Sequence, residues 1–382
     1  MQNNSTGNNN ISILIRIRSK YLIQKIFDNV KIRKVYEIIK YNKLIQHKIE
    51  INMKDYKVFR EKYSPIELKL RLLNYRITKF INLKEPNDLK YFHFFVNDEK
   101  EEKDLELIYR MKYIYEIKIV IDYKINSFER IFYRCNKIEK IKFSKFYRNN
   151  IINMEGMFED CSQLTSINLR HFITENATNM KLMFASCISL KELDLSSFNT
   201  TNVTSMYKMF NGCCELKKIN LSSFNTEKTT DMSYMFNYCY TLKELDVSSF
   251  ITDNLKNTEN MFMMCLSLEK IKFSKAFTTK NVIKMNDMFH YCNKLKELDL
   301  SSFTSENLTN QLNMFNKCYE LKKINLSKFI FKNTNNIKIN GIFNNCFSIK
   351  EITVSKYYIK DIQIIKELIR DNKNEYKILF SD

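Results

Sequence analysis

Cysteine is the residue with the most chemistry to offer in this chain, and it recurs beside methionine. MYKMFNGC stands at 206–213, MSYMFNYC at 232–239 and MNDMFHYC at 285–292. Thiols next to thioether sulfurs could bind a soft metal or cycle through disulfides. The cysteines are Cys135, Cys161, Cys187, Cys213, Cys214, Cys239, Cys265, Cys292, Cys318 and Cys346. With Cys214 set aside, the gaps are 26, 26, 26, 26, 26, 27, 26 and 28. Each period therefore supplies one thiol, with no histidine or carboxylate in its column. A metal site needs several ligands converging on one point. The odd number of column thiols, together with the lack of a recognisable secretory signal, speaks against disulfides along the row. The reading that remains is packing, with Cys as a small buried hydrophobe and Met as a gap filler. No metal, cofactor or catalytic group is expected. His47, His93, His171 and His290 share no register, and there is no Gly-rich phosphate loop. The chain reads as a non-enzyme.

Something must hold these residues at so constant a spacing. Aligned on Cys, the position three before it is always Phe: Phe132, Phe158, Phe184, Phe210, Phe236, Phe262, Phe289, Phe315 and Phe343. Leu or Ile stands three and six after it, as in Leu190 and Leu193. Met206, Met209, Phe210 and Cys213 lie at i, i+3, i+4 and i+7, which predicts a short helical turn. Leu216, Ile219 and Leu221 then switch to a period of two, which predicts a short strand. The sum is an α/β repeat solenoid: a leucine-rich-repeat horseshoe of short parallel strands with one helical turn per 26-residue repeat. The plan is a disordered tail over 1–10, a helical N-terminal module over 11–103 and a degenerate first repeat over 104–127. Nine repeats over 128–357 and a C-terminal capping helix and tail over 358–382 complete it.

The unit LKELDLSSFNTTNVTSMYKMFNGC, residues 190–213, resembles the BspA-like leucine-rich repeats of bacterial surface proteins, which are also expanded in several microbial eukaryotes. The resemblance spans roughly Phe128 to Tyr357. It implies a leucine-rich-repeat solenoid that binds other macromolecules, often in adhesion or host interaction.

Residues between the strand leucines should point to the concave face. The column five after Cys alternates in sign over Glu192, Lys218, Glu244, Lys270, Glu297, Lys323 and Glu351. Four after Cys stand Lys191, Lys217, Lys243, Lys296, Lys322 and Lys350. Seven after it stand Asp194, Asn220, Asp246, Asp299 and Asn325. Paired charges on neighbouring strands favour stacking, and the same face is the candidate binding surface for a protein partner. A scaffold or recognition role follows.

The formal charge is +19. The first 127 residues hold 26 Lys/Arg against 16 Asp/Glu and are the more basic part. No run of five or six like charges occurs, so a specific nucleic-acid reader is not indicated. No stretch of about 18 apolar residues is present, so no transmembrane helix is expected. ISILIRIRSKYLIQKIF is interrupted by Arg16, Arg18 and Lys20 and lacks an apolar signal-peptide core, which predicts the cytoplasm or nucleus, and a monomer is expected. Cell-surface placement is the alternative, and would expose sequons such as Asn176, Asn199, Asn202, Asn220, Asn307 and Asn325.

Residues 19–51 read as two or three helices. One apolar face carries Leu22, Ile23, Ile26, Phe27 and Val30, and another Val35, Ile38, Ile39 and Ile45. The spacing is similar to an F-box, which implies a Skp1-type adaptor held by Ile23, Ile26, Phe27, Val30, Ile38 and Ile39. The protein would then be the substrate receptor of a ubiquitin ligase. The other reading is a cap on the open apolar end of the array. A further helix is expected from Pro65 to Phe80.

Overall fold

Alternation decides the structure from residue 66 onward. The computed structural model describes residues 61–73, 79–329, 341–356 and 375–381, with the isolated positions 47, 58 and 366. The tail over 1–10, the helices expected within 19–51 and their candidate adaptor residues lie outside the described residues, as does the helix at 360–370 apart from position 366. The helix expected from Pro65 is not formed. Ile66–Leu72 is strand β1, with Ile66, Leu68, Leu70 and Leu72 buried and the residues between them facing outward. The strict period of two in IELKLRL outweighs the proline that suggested a helix start.

A single 3-10 turn at Pro86–Tyr91 leads into β2 (Phe92–Val96), followed by the short helix α1 (Leu105–Arg110) and β3 (Glu116–Ile121). β3 lies antiparallel between β1 and β2, and β1 pairs antiparallel with β4 (Ile138–Lys145). The expected degenerate first repeat at 104–127 is corrected accordingly. Ile117 and Ile119 are buried strand residues, but β1 is inserted antiparallel between β3 and β4, so β3 pairs with no strand of the coils. What closes the N-terminal end of the solenoid is thus an antiparallel sheet. Arg148 pins this cap to the first coil. It is fully buried and donates from Nη1 to the carbonyls of Asp122 and Ile125, each at 3.0 Å.

From β4 the strands run parallel, one per coil. They are β5 (Ser166–Asn168), β6 (Glu192–Asp194), β7 (Lys218–Asn220), β8 (Glu244–Asp246), β9 (Lys270–Lys272), β10 (Glu297–Asp299), β11 (Lys323–Leu326) and β12 (Glu351–Ser355). Strands of three residues are too short to stand alone, so each draws its stability from the coils on either side. A second parallel seam of single bridges links Ser127, Asn153, Asn179, Ser205, Asp231, Asn257, Lys284 and Asn310. β13 (Lys377–Ser381) then pairs parallel with β12, setting Lys377 beside Glu351. The C-terminal segment was expected to end in a cap and tail. The tail supplies one more strand, in a stretch without the Phe and Cys that mark the other units.

The Met-x-x-Met-Phe-x-x-Cys segment is not a helical turn. In one unit Met206, Lys208, Phe210 and Gly212 donate their N–H groups to Asp231, Ser233, Met235 and Asn237 of the next coil. Met209, Asn211 and Cys213 donate back to carbonyls three residues earlier. Lys208 and Gly212 adopt left-handed backbone at φ +55° and +74°. The same two positions are left-handed in every unit, from Arg130 and Arg134 to Gly341 and Asn345. Most of these residues are not glycine, at a cost of about 1–2 kcal/mol each. The inter-coil hydrogen bonds that this backbone makes available offset that cost. Helical spacing in the sequence reported which side chains face the core, not where the N–H groups go.

Stacked copies build the core. Phe132, Phe158, Phe184, Phe210, Phe236, Phe262, Phe289, Phe315 and Phe343 form an unbroken pile of rings, with successive centroids 5.2–5.8 Å apart and planes 2–20° from parallel. One core column is broken. Seven before Cys stand Met154, Met180, Met206, Met232 and Met285, but residue 258 is Thr, which donates to the carbonyl of Lys284, and residue 311 is Gln. Gln311 is fully buried, and neither Oε1 nor Nε2 has a hydrogen-bond partner. Gln311→Met is expected to stabilise the fold by about 1–3 kcal/mol, because it removes an unpaired buried amide. Urea denaturation would show it, and an unchanged or lower midpoint would mean the amide is satisfied in solution.

Candidate interaction face

The thiol row resolves first. Cys161, Cys187, Cys213, Cys239, Cys265, Cys292, Cys318 and Cys346 each donate from Sγ to the carbonyl of the Phe one coil earlier, at 2.9–3.4 Å. That carbonyl also accepts the N–H of the Cys in its own coil, as Phe184 does from Cys187. Burial pushes the column thiols from Cys135 to Cys318 up, Cys135 and Cys265 to about 12. A metal ligand must be a thiolate. These thiols are protonated donors in a dry column, and no group of three or more His, Cys, Asp or Glu side chains gathers to hold an ion among the described residues. Cys214 differs: it is half-buried and donates to the carbonyl of Gly212, two residues back, at 3.4 Å.

The outward strand residues form the candidate face. Parallel register sets Glu192 beside Lys218, Glu244 beside Lys270, and Glu297 beside Lys323. The charge pairs are long and exposed, 3.8 Å for Lys218–Glu192 and 3.9 Å for Lys323–Glu297, so each contributes only about 0–1 kcal/mol. Lys296 reaches Glu269 at 3.8 Å. The column read as a polar binding surface has local duties as well. Asp194, Asn220, Asp246, Asp299 and Asn325 each accept the backbone N–H two residues on, closing an Asx turn where the strand ends. Asn220 also donates to Asp194 at 3.1 Å, and Lys272 to Asp246 at 3.0 Å.

Among the described residues two larger grooves lie across this face, with a smaller one of about 270 Å³ over β9 lined by Lys270, Lys272 and Asp299. One of about 940 Å³ crosses β6 to β8 and is lined by Glu192, Asp194, Lys217, Lys218, Asn220, Lys243, Glu244 and Asp246, with Leu193 and Ile219 on its floor. The other, about 760 Å³, is lined by Glu297, Lys322, Lys323, Lys350, Glu351 and Lys377. The structure brings the sequence-predicted face residues together in these two places. Lys191, Lys296, Asp299 and Asn325 stand on the same strand side outside them.

Sequence reasoning missed two sets of residues. Buried Thr174, Thr200, Thr226 and Thr279 each bridge a backbone N–H and C=O of the next coil through the hydroxyl. With buried Thr252 between Thr226 and Thr279, their spacing by 26 or 27 was visible, but nothing local marks a threonine as buried. The second set is the position directly after Cys, which places Ile188, Cys214, Tyr240, Leu266, Tyr319 and Phe347 along the edge of the face. Ile188 and Phe347 are 43 % and 46 % exposed.

No helix among the described residues is long and apolar enough to cross a membrane. No curated protein matches the chain. A family model described as a Mycoplasma protein of unknown function, DUF285, matches three overlapping stretches, residues 126–245, 191–275 and 240–357. These matches begin where the coils begin and end just past β12. Together they span more than half of the chain, and the protein belongs to the DUF285 family.

Proposed function

We propose that this is a non-catalytic protein-binding solenoid, a recognition or scaffold protein that takes its partner on the strand face. The observation that carries this is the groove of about 940 Å³ over β6 to β8, built from side chains that the coils repeat. A repeat array presents such a surface at low cost, because the hydrogen bonds that hold it belong to the stack and leave the outward positions free to vary. The likeness to BspA-like repeats supports the same reading. Placement inside the cell draws support from the column thiols, which are used as protonated donors and so need to stay reduced.

The test is a photo-crosslinking side chain placed at Asn220, on the groove, and at Lys181, on the turn segment, in the native cell. Protein adducts from Asn220 and not from Lys181 are expected. Equal labelling from both positions, or none from Asn220, sinks the reading.

A further inference from the structure

The binding reading above can be taken one step further, because the charges on the face are unequally satisfied. Around the larger groove three of the four carboxylates already have partners. Glu192 faces Lys218, Asp194 accepts from Asn220 and Ser196, and Asp246 accepts from Lys272 and Ser248. Glu244 stands in register with Lys270 but forms no ion pair with it. Lys191, Lys217 and Lys243 differ. They occupy the same position in three successive coils, all three are exposed, and among the described residues no side chain pairs with their ammonium groups. Coils repeat at about 4.8 Å, so this is a row of three uncompensated cations roughly 10 Å long.

The row is bordered by apolar surface. Three residues before each lysine stand Ile188, Cys214 and Tyr240, and Tyr238 packs edge-on against Tyr240 with centroids 5.8 Å apart. Ile188 and Tyr238 are 43 % and 36 % exposed. An apolar strip beside a row of free cations, on the rim of a groove, fits one kind of ligand better than others. A nucleic-acid backbone would also meet the lysines, but its phosphates would lie against Glu192, Asp194, Glu244 and Asp246 across the same narrow groove. A peptide can turn carboxylates to one side only.

We infer that the rim of the groove formed by Lys191, Lys217 and Lys243 with Ile188 and Tyr240 takes an extended acidic segment of a protein partner, carrying aliphatic or aromatic side chains beside its carboxylates. The segment lies along the stack, with carboxylates on the lysine row and apolar groups on the strip.

Fluorescence anisotropy on the full chain tests this with labelled peptides of about ten residues, long enough at roughly 3.3 Å per residue to cross three coils. The probes are a Glu/Leu/Tyr peptide, its Lys-for-Glu counterpart and a single-stranded oligothymidylate. The acidic peptide is expected to bind best and to weaken with salt. It should lose about tenfold or more in the triple variant K191E/K217E/K243E. The pair K256E/K280E, in the connections outside the strands, should leave binding within about twofold. All five lysines are exposed, and circular dichroism checks that each variant is folded. Acidic and basic peptides binding alike, an unaffected triple variant, or tighter binding of the oligonucleotide each overturns the inference. The crosslinking described above separates the two levels. Protein adducts at Asn220 whose crosslinked segments carry no net negative charge remove this inference and leave the binding reading standing, whereas no adduct at all removes the binding reading itself.

Discussion

Raising the pH from 8 to 10 is expected to unfold the solenoid, far more steeply than a protein of ordinary composition. Burial raises the thiols of Cys135, Cys161, Cys187, Cys213, Cys239, Cys265, Cys292 and Cys318 above their usual range, two of them to about 12. In the unfolded chain each ionises near pH 8.5. The folded state thus keeps protons that the unfolded state has already released. The stabilisation is fully present below about pH 8.5 and is lost as pH rises toward 12. Each thiol contributes a slope of about 1.4 kcal/mol per pH unit, and eight together about 11 kcal/mol per unit. Total stabilities of about 5–15 kcal/mol are used up within roughly one or two units. Urea midpoints followed by circular dichroism from neutral to alkaline pH would show the fall, with thiolate absorbance appearing as the structure is lost. A midpoint at pH 10 equal to that at pH 8 would mean the column tolerates thiolates.

Thr226→Val should destabilise the fold by about 2–4 kcal/mol although it preserves the shape of the side chain. Thr226 is fully buried. Its Oγ1 donates to the carbonyl of Ile251 at 2.7 Å and accepts from the N–H of the same residue at 2.9 Å. Valine fills the same space but leaves both backbone groups without a partner in a dry interior, where each costs about 1–3 kcal/mol. Thr226→Ser keeps the hydroxyl and loses only a methyl, for about 1 kcal/mol. The order of urea midpoints is therefore wild type, then Ser, then Val. A valine variant as stable as the serine one would show that the hydroxyl does not carry the backbone of the neighbouring coil.

The sequence by itself determined the repeat, its length and the identity of the core columns. Cys, Phe and Leu recur at a fixed spacing because each must meet its own copy in the next coil, and that demand leaves a mark in every unit. It also determined which residues face outward on the strands: Lys218, Glu244 and their neighbours alternate with buried leucines, and the structure sets them on one side. Tertiary structure decided the rest. Met206, Met209, Phe210 and Cys213 have the spacing of a helix, yet their N–H groups alternate between the chain behind them and the coil ahead. The choice turns on the backbone at Lys208 and Gly212, and a left-handed lysine, leucine or tyrosine has no signature of its own in sequence. Ile66–Leu72 became a strand because the edge of β4 was there to pair with it. β13 joined the stack without the Phe and Cys of the other units because backbone pairing with β12 needs neither. The lysine row owes its free charge to the third dimension as well, since every column of the repeat is polar there and only the packed coils show which carboxylates are already taken.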